Sequence, residues 1–329
     1  MKAFVVRSYG SPDVLELTDV DRPAPGDREV LVRVRATSVQ PYDWHHMRGE
    51  PYVARLMPGT LGLRAPKIGV LGADVAGHVE AVGRNVTGFR PGDEVYALVA
   101  QGGFAEYVCV PEDRLAPKPK NLSFEQAAAV PLAGVTALYG LCDRGWMRSG
   151  QRVLVNGASG GVGTFAVQIA AAFGATVTGV CGTRNLDLVR SLGADEVVDY
   201  TVQDFTRLGR RYDLLLDVAG GRSAWACRRA LTSKGTYVAV GGPQGRWLQP
   251  AGHVFAAAAM SPVVPQRMVM ADVYASTEHK RSLMTLTGLI EAGEVAPVID
   301  RSLPFDDIPA AVAYQEDGHA TGKVVIEVR

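Results

Sequence analysis

Residues 153–174, VLVNGASGGVGTFAVQIAAAFG, constrain this chain more than any other stretch. Val153, Leu154, Val155 and Asn156 are apolar enough together for a strand buried on both faces. Gly157, Ala158, Ser159, Gly160, Gly161, Val162 and Gly163 follow as a glycine-rich turn. Val162, Ala166, Ile169, Ala170 and Phe173 then recur at helical spacing, and Gly174 offers a helix stop. Strand, glycine turn and helix in this order are the layout of a dinucleotide pyrophosphate site. Small residues let the backbone approach the phosphates, and the free N–H groups at the helix start point at them. The first glycine of the usual pattern is Ala158 here, and a tight strand-to-helix turn alone has the same look. Residues 175–180 (ATVTGV) supply the second strand that a βαβ unit needs, ending where a cofactor ribose would lie.

The flanking sequence divides in two. Residues 1–120 read as short strands and turns: Val30, Val32, Val34 and Ala36 alternate with Leu31, Arg33 and Arg35, and Val75, Gly77, Val79 and Ala81 repeat the pattern. Such spacing predicts a small barrel. Ser123 and Gln126 form a capping box, and Pro131 breaks or restarts the helix that follows. Beyond residue 153 strands and helices alternate, which predicts a doubly wound parallel sheet and an α/β fold. A strand is expected at 267–276 and a helix at 278–292, with a mobile covering loop over 242–262.

A length of 329 residues suits about two domains. Lys+Arg and Asp+Glu balance at 34 each, so nothing points to nucleic acid or an anionic membrane. No apolar run reaches membrane-spanning length, and the opening MKAFVVRSYG lacks a signal-peptide core. Cys109, Cys142, Cys181 and Cys227 are widely spaced, with no CxxC pair. That fits a reducing cytoplasm and argues against a structural zinc or a disulfide framework.

The opening MKAFVV, residues 40–49, GADVAGHVEAVG at 72–83, FRPGDEV at 89–95, the glycine turn and the closing GKVV segment come in a fixed order. In that order the chain resembles a zinc-free member of the medium-chain dehydrogenase/reductase superfamily, in its quinone oxidoreductase (zeta-crystallin-like) branch. The resemblance implies a GroES-like β-barrel catalytic domain, residues 1–124 completed by 277–329, and a Rossmann NADP(H)-binding domain, residues 125–276. It implies a homodimer formed through the edge of the Rossmann sheet. Where zinc-containing relatives place their catalytic metal ligands, this chain has Gln40, Ala73 and Leu132. What remains suits NADPH-driven hydride addition to a quinone or to an alkene conjugated to a carbonyl.

The same resemblance assigns site residues. Residues 40–49 (QPYDWHHMRG) are expected at the reacting centre, with His45 and Tyr42 as catalytic candidates, His46 nearby and Asp43 holding the segment by local hydrogen bonds. Gln40, Thr136, Val218, Gly241, Gly242 and Lys323 join Ala158, Ser159, Gly160, Gly161, Val162 and Gly163 as cofactor contacts. No carboxylate stands between Val180 and Asn185 to select NAD; Thr183 and Arg184 do, with Tyr200 after the third strand, so NADPH is expected. A non-catalytic NADPH-binding or structural protein and an alcohol dehydrogenase are the alternatives. The expected substrate-pocket walls, residues 50–66 and 242–265, carry no readable pattern.

Overall fold

From residue 153 on, runs of three apolar residues stand with no polar side chain between them, and the fold leaves them almost no exposed surface. Val153, Leu154 and Val155 are fully buried, as are Leu215 and Leu216. A computed structural model describes residues 1–56, 61–67, 69–242, 245–249, 251–318 and 320–328. Of the expected pocket walls, residues 57–60, 243, 244 and 250 lie outside the described residues.

The chain opens with strands β1 (Lys2–Val6), β2 (Leu15–Asp19) and β3 (Glu29–Val39), then helix α1 (Pro41–Arg48). Strands β4 (Asp74–Val82), β5 (Glu94–Leu98), β6 (Tyr107–Pro111) and β7 (Leu115–Pro117) follow, then helices α2 (Phe124–Ala128) and α3 (Pro131–Leu138). Alternation begins with β8 (Arg152–Asn156), α4 (Gly161–Ala172), β9 (Thr176–Cys181), α5 (Leu186–Ser191) and β10 (Glu196–Asp199). It continues through β11 (Tyr212–Asp217), α6 (Ala224–Arg228), β12 (Leu231–Ala239), α7 (Ala251–Met260) and β13 (Arg267–Met270). The chain closes with α8 (His279–Glu291), β14 (Ile299–Pro304), α9 (Ile308–Glu316) and β15 (Lys323–Glu327).

Two compact units result: residues 1–132 with 276–293 and 297–329, and residues 133–275 with 294–296. The first unit keeps α2, which the sequence assigned to the second, because that helix packs on β3 and β4. Its main sheet runs β14-β15-β3-β4-β5-β7, with β6 also on β3. Val30, Val32, Val34, Val75 and Val79 face one core, as their alternation predicts. In the second unit the sheet is parallel and ordered β10-β9-β8-β11-β12-β13. This is the doubly wound order, reversing direction between β8 and β11.

Three expectations need correction. Residues 251–260 form helix α7 where a loop was expected, since the apolar run between Pro250 and Pro262 is rich in alanine, a strong helix former. Strand β13 ends at Met270 and does not reach Ser276, because Val273–Ala275 turn into a single 3-10 turn. Residues 41–48, expected as part of an all-β unit, form α1. Among the described residues no helix is long and apolar enough to cross a membrane.

Candidate active site

Each unit carries its own share of the predicted site residues. In the first, α1 starts with Pro41 at its first position and ends at Gly49, whose φ of 65° suits glycine. Trp44 and Met47, three residues apart, turn into the core, and Arg48 clasps Glu316 of α9 through bonds of 2.6 and 2.8 Å. Asp43 is fully buried. Its Oδ2 accepts from Gln40 N and its Oδ1 from Gly72 N, each at 3.0 Å, so it ties the helix start to the turn before β4. Burial pushes its carboxyl up to about 7 against those two bonds.

The two histidines are oriented by main-chain carbonyls. His45 Nδ1 lies 3.0 Å from Glu50 O and His46 Nδ1 lies 2.9 Å from Tyr42 O. A carbonyl only accepts, so both rings carry hydrogen on Nδ1, and each neutral ring presents Nε2 as a lone pair. Burial lowers His45 to about 4 and lowers His46 as well. Tyr42, whose ring centroid lies 4.0 Å from that of His46, is pushed up to about 12 by burial and then by Asp43. Near neutral pH, therefore, Tyr42 keeps its proton, while His45 Nε2 can only accept.

Gln40 is buried beside a charged cluster. Lys323 Nζ, at the start of β15, donates to Gln40 Oε1 at 2.8 Å and to Asp74 Oδ2 at 3.1 Å. Asp74 also accepts from Ser38 Oγ at 2.5 Å and from Leu132 N at 2.7 Å. Gln40 Nε2, by contrast, is buried with no partner among the described residues. These positions do not suit zinc. The Gln40 oxygen is taken by an ammonium group, and Ala73 and Leu132 offer no side-chain donor.

The second unit holds the glycine turn. Gly157 has a φ of 87°, and a Cβ on Gly163 would lie 2.0 Å from Gly157 O, so neither accepts a side chain. Ala158 is tolerated in the first glycine position because its methyl turns into the core, against Gly179. Helix α4 starts after Gly160, which has no side chain to cap it. Thr164 N is the first to bond back, to Gly160 O, leaving the N–H groups of Gly161, Val162 and Gly163 without intrahelical partners. Such a cradle fits a pyrophosphate.

The remaining candidates, Thr136 apart, lie at strand ends. Val218 N donates to Asn156 O at 3.0 Å, and a Cβ on Gly241 would meet Val218 O at 2.3 Å. Val218 and Gly241, with Gly242 beyond it, thus sit beside the turn. Thr136 is buried on α3. After β9, Arg184 is exposed, and the Tyr200 hydroxyl lies over Gly182, 3.4 Å from where a Cβ would be. The Thr183 hydroxyl gives its proton to Asp199 at 2.5 Å, so Thr183 can offer a ligand its backbone N–H but not its hydroxyl proton. Hydrogen bonds from Thr183 and Thr201 hold Asp199 below the usual carboxylate range. Asn185 Nδ2 donates to Ser159 Oγ at 3.0 Å. Sequence reasoning missed Asp74, Asp217 and His253, each of which acts through partners far along the chain.

A parallel sheet in this strand order, with a glycine cradle on the strand where the order reverses, is the layout of a dinucleotide-binding fold. Residues 26–120 match the alcohol dehydrogenase GroES-like domain family, and residues 192–326 match the family described as zinc-binding dehydrogenase. The chain is 35% identical to mouse (Mus musculus) "NAD(P)H oxidoreductase RTN4IP1, mitochondrial", covering 100% of this chain and 89% of that protein. It is 35% identical to the Arabidopsis thaliana "NADPH-dependent alkenal/one oxidoreductase, chloroplastic", over 99% of this chain and 79% of the relative. The solved quinone oxidoreductase of Coxiella burnetii superposes with a TM-score of 0.84 at 29% identity, over 100% of this chain and 99% of that one. The chain belongs to the medium-chain dehydrogenase/reductase family, in its quinone oxidoreductase branch.

Proposed function

We propose that this protein is a zinc-independent, NADPH-dependent reductase of quinones or α,β-unsaturated carbonyls. The observation that carries the reading is Gln40. Its Oε1 is held by Lys323 and its Nε2 is a buried donor without a partner among the described residues. A buried donor left unmade costs free energy, so such a group is suited to an acceptor that arrives with substrate. When bound, NADPH supplies the hydride. As negative charge develops on the substrate's carbonyl oxygen, Gln40 Nε2 donates to it, and the ammonium behind the carboxamide strengthens that donation. Tyr42 keeps its proton near neutral pH and adds a second donor; His45 Nε2 accepts and orients. NADPH is favoured by the absence of a carboxylate between Val180 and Asn185, and by the alkenal/one-reducing relative.

The test is NADPH oxidation by the purified chain against panels of quinones, alkenals, enones and alcohols, with metal analysis of the same sample. Turnover of quinones or enones without stoichiometric zinc is expected. Turnover confined to alcohols and dependent on zinc would overturn the reading.

A further inference from the structure

Asp217 ends β11 and has no exposed surface. Its main-chain carbonyl accepts from Val240 N at 2.9 Å and Gly241 N at 3.3 Å. Its Oδ1 accepts from Asn156 Nδ2 at 2.7 Å and Gly220 N at 2.9 Å. Its Oδ2 accepts from Tyr237 Oη at 2.6 Å, with His253 Nε2 at 3.3 Å, and those last two atoms lie 2.7 Å apart. Burial, then the Asp217 charge, pushes the Tyr237 phenol up, so it keeps its proton and gives it to Asp217. His253 Nε2 then carries the hydrogen that Tyr237 Oη accepts.

We propose that Asp217 is a positioning residue for the dinucleotide site, and that His253 and Tyr237 make helix α7 part of its support. The proposal rests on reading the glycine turn as that site. Asn156 with Asp217, and Asp217 with Ala239, are the last paired positions of their strands. Beyond them the sheet ladder ends, and the crevice opens where the strand order reverses. The glycine turn, the segment 218–220 and the chain beyond β12 leave the sheet at this point, and Asp217 is bonded to Asn156 just before the turn, to Gly220, and to Val240 and Gly241. A carboxylate suits the task because it only accepts and can take several bonds at once. His253 carries the link on to α7, where Tyr237 alone would end it inside the sheet.

The experiment is equilibrium titration of the full chain with NADPH and with NADH, alongside thermal melting. Asn156→Ala, Tyr237→Phe and His253→Phe are expected to raise the cofactor Kd by about twofold to thirtyfold each. Tyr237→Phe or His253→Phe combined with Asn156→Ala should add less than its single effect, since all three act through one carboxylate. Asp217→Asn keeps an oxygen for Asn156 and Gly220 and should bind close to wild type, whereas Asp217→Ala should not. Variants that melt lower yet bind both cofactors like wild type would make the cluster a scaffold only and overturn the proposal. Strictly additive losses would overturn the link to α7. A wild-type chain that binds neither cofactor would overturn the dinucleotide reading itself, a result distinguishable from normal binding with unaffected variants.

Discussion

Lys323 Nζ donates to Gln40 Oε1 at 2.8 Å across 283 positions of sequence, and that bond fixes which end of a buried carboxamide is left to meet a ligand. The amide cannot flip without presenting N–H groups to an ammonium. The orientation of a carboxamide at one end of β3 therefore depends on a side chain from β15.

Gln40→Leu keeps the Lys323–Asp74 pair and removes the donor. Loss of one transition-state donor typically costs about 10²–10³ in kcat, and a fall of that size in enone or quinone reduction is expected. A kcat within a fewfold of wild type would remove Gln40 from the chemistry.

Lys323→Met should act on stability first. Lys323 and Asp74 are both buried, and removing one partner of such a pair costs about 3–5 kcal/mol. The urea midpoint is expected to drop accordingly, and adding Asp74→Asn should restore part of it. A double variant no more stable than Lys323→Met alone would argue against the uncompensated carboxylate as the cause.

His45 has an ordinary value of 6.5 and is lowered to about 4 by burial. Between these values the unfolded chain binds more protons at this residue than the folded one. Its contribution is thus intact above the upper value and is lost as pH falls toward the lower. Asp43, raised from 3.8 to about 7, has the opposite sign and weakens the fold as pH rises through that window. His45→Gln removes the first effect and leaves the second. The difference in Tm, variant minus wild type, should therefore move in the variant's favour from neutral pH to about pH 5. A difference independent of pH would mean that His45 is not held neutral by the fold.

Arg184→Ala should lower NADPH affinity and leave NADH affinity unchanged. A hydrogen bond to a charged group is worth about 1.5–3 kcal/mol, roughly tenfold to a hundredfold in Kd. Paired titrations of both cofactors decide it. Equal losses would show that Arg184 supports the turn and does not read the 2′-phosphate.

Strand β13 pairs with β12 and with no other strand among the described residues, and Met270 at its end is 41% exposed. An unpaired parallel edge is a template for a second copy. Light scattering at micromolar concentration is expected to give the mass of a homodimer; a monomer mass throughout would rule this edge out as a stable interface.

The strand-turn-helix at 153–174 was legible because its determinants are local: period, glycine position and helix stop all lie within a few residues. Helix α1 was missed although Pro41 and Gly49 bracket it, because only Trp44 and Met47 mark its buried face. Helix α7 was missed because the prolines and glycines around it in 242–262 suggest a loop and its alanines show no polar side. The site's charged contacts carry no local signal at all. Asp217 meets Tyr237 and His253 at separations of 20 and 36 residues, and only the strand order brings them together. The histidine tautomers, likewise, are set by carbonyls whose positions follow from the backbone, not from residue type.

The placement of β15 between β14 and β3 bears on the order in which the protein can assemble. A growing chain presents Asp74 to the solvent 249 residues before Lys323 is made. Until then the carboxylate lacks its ammonium, and the site around Gln40 cannot close dry. The second unit has its entire sheet by Met270 and can fold while the chain is still being made. The first unit is thus the later of the two to mature, and the orientation of the Gln40 amide is set only once β15 has been made.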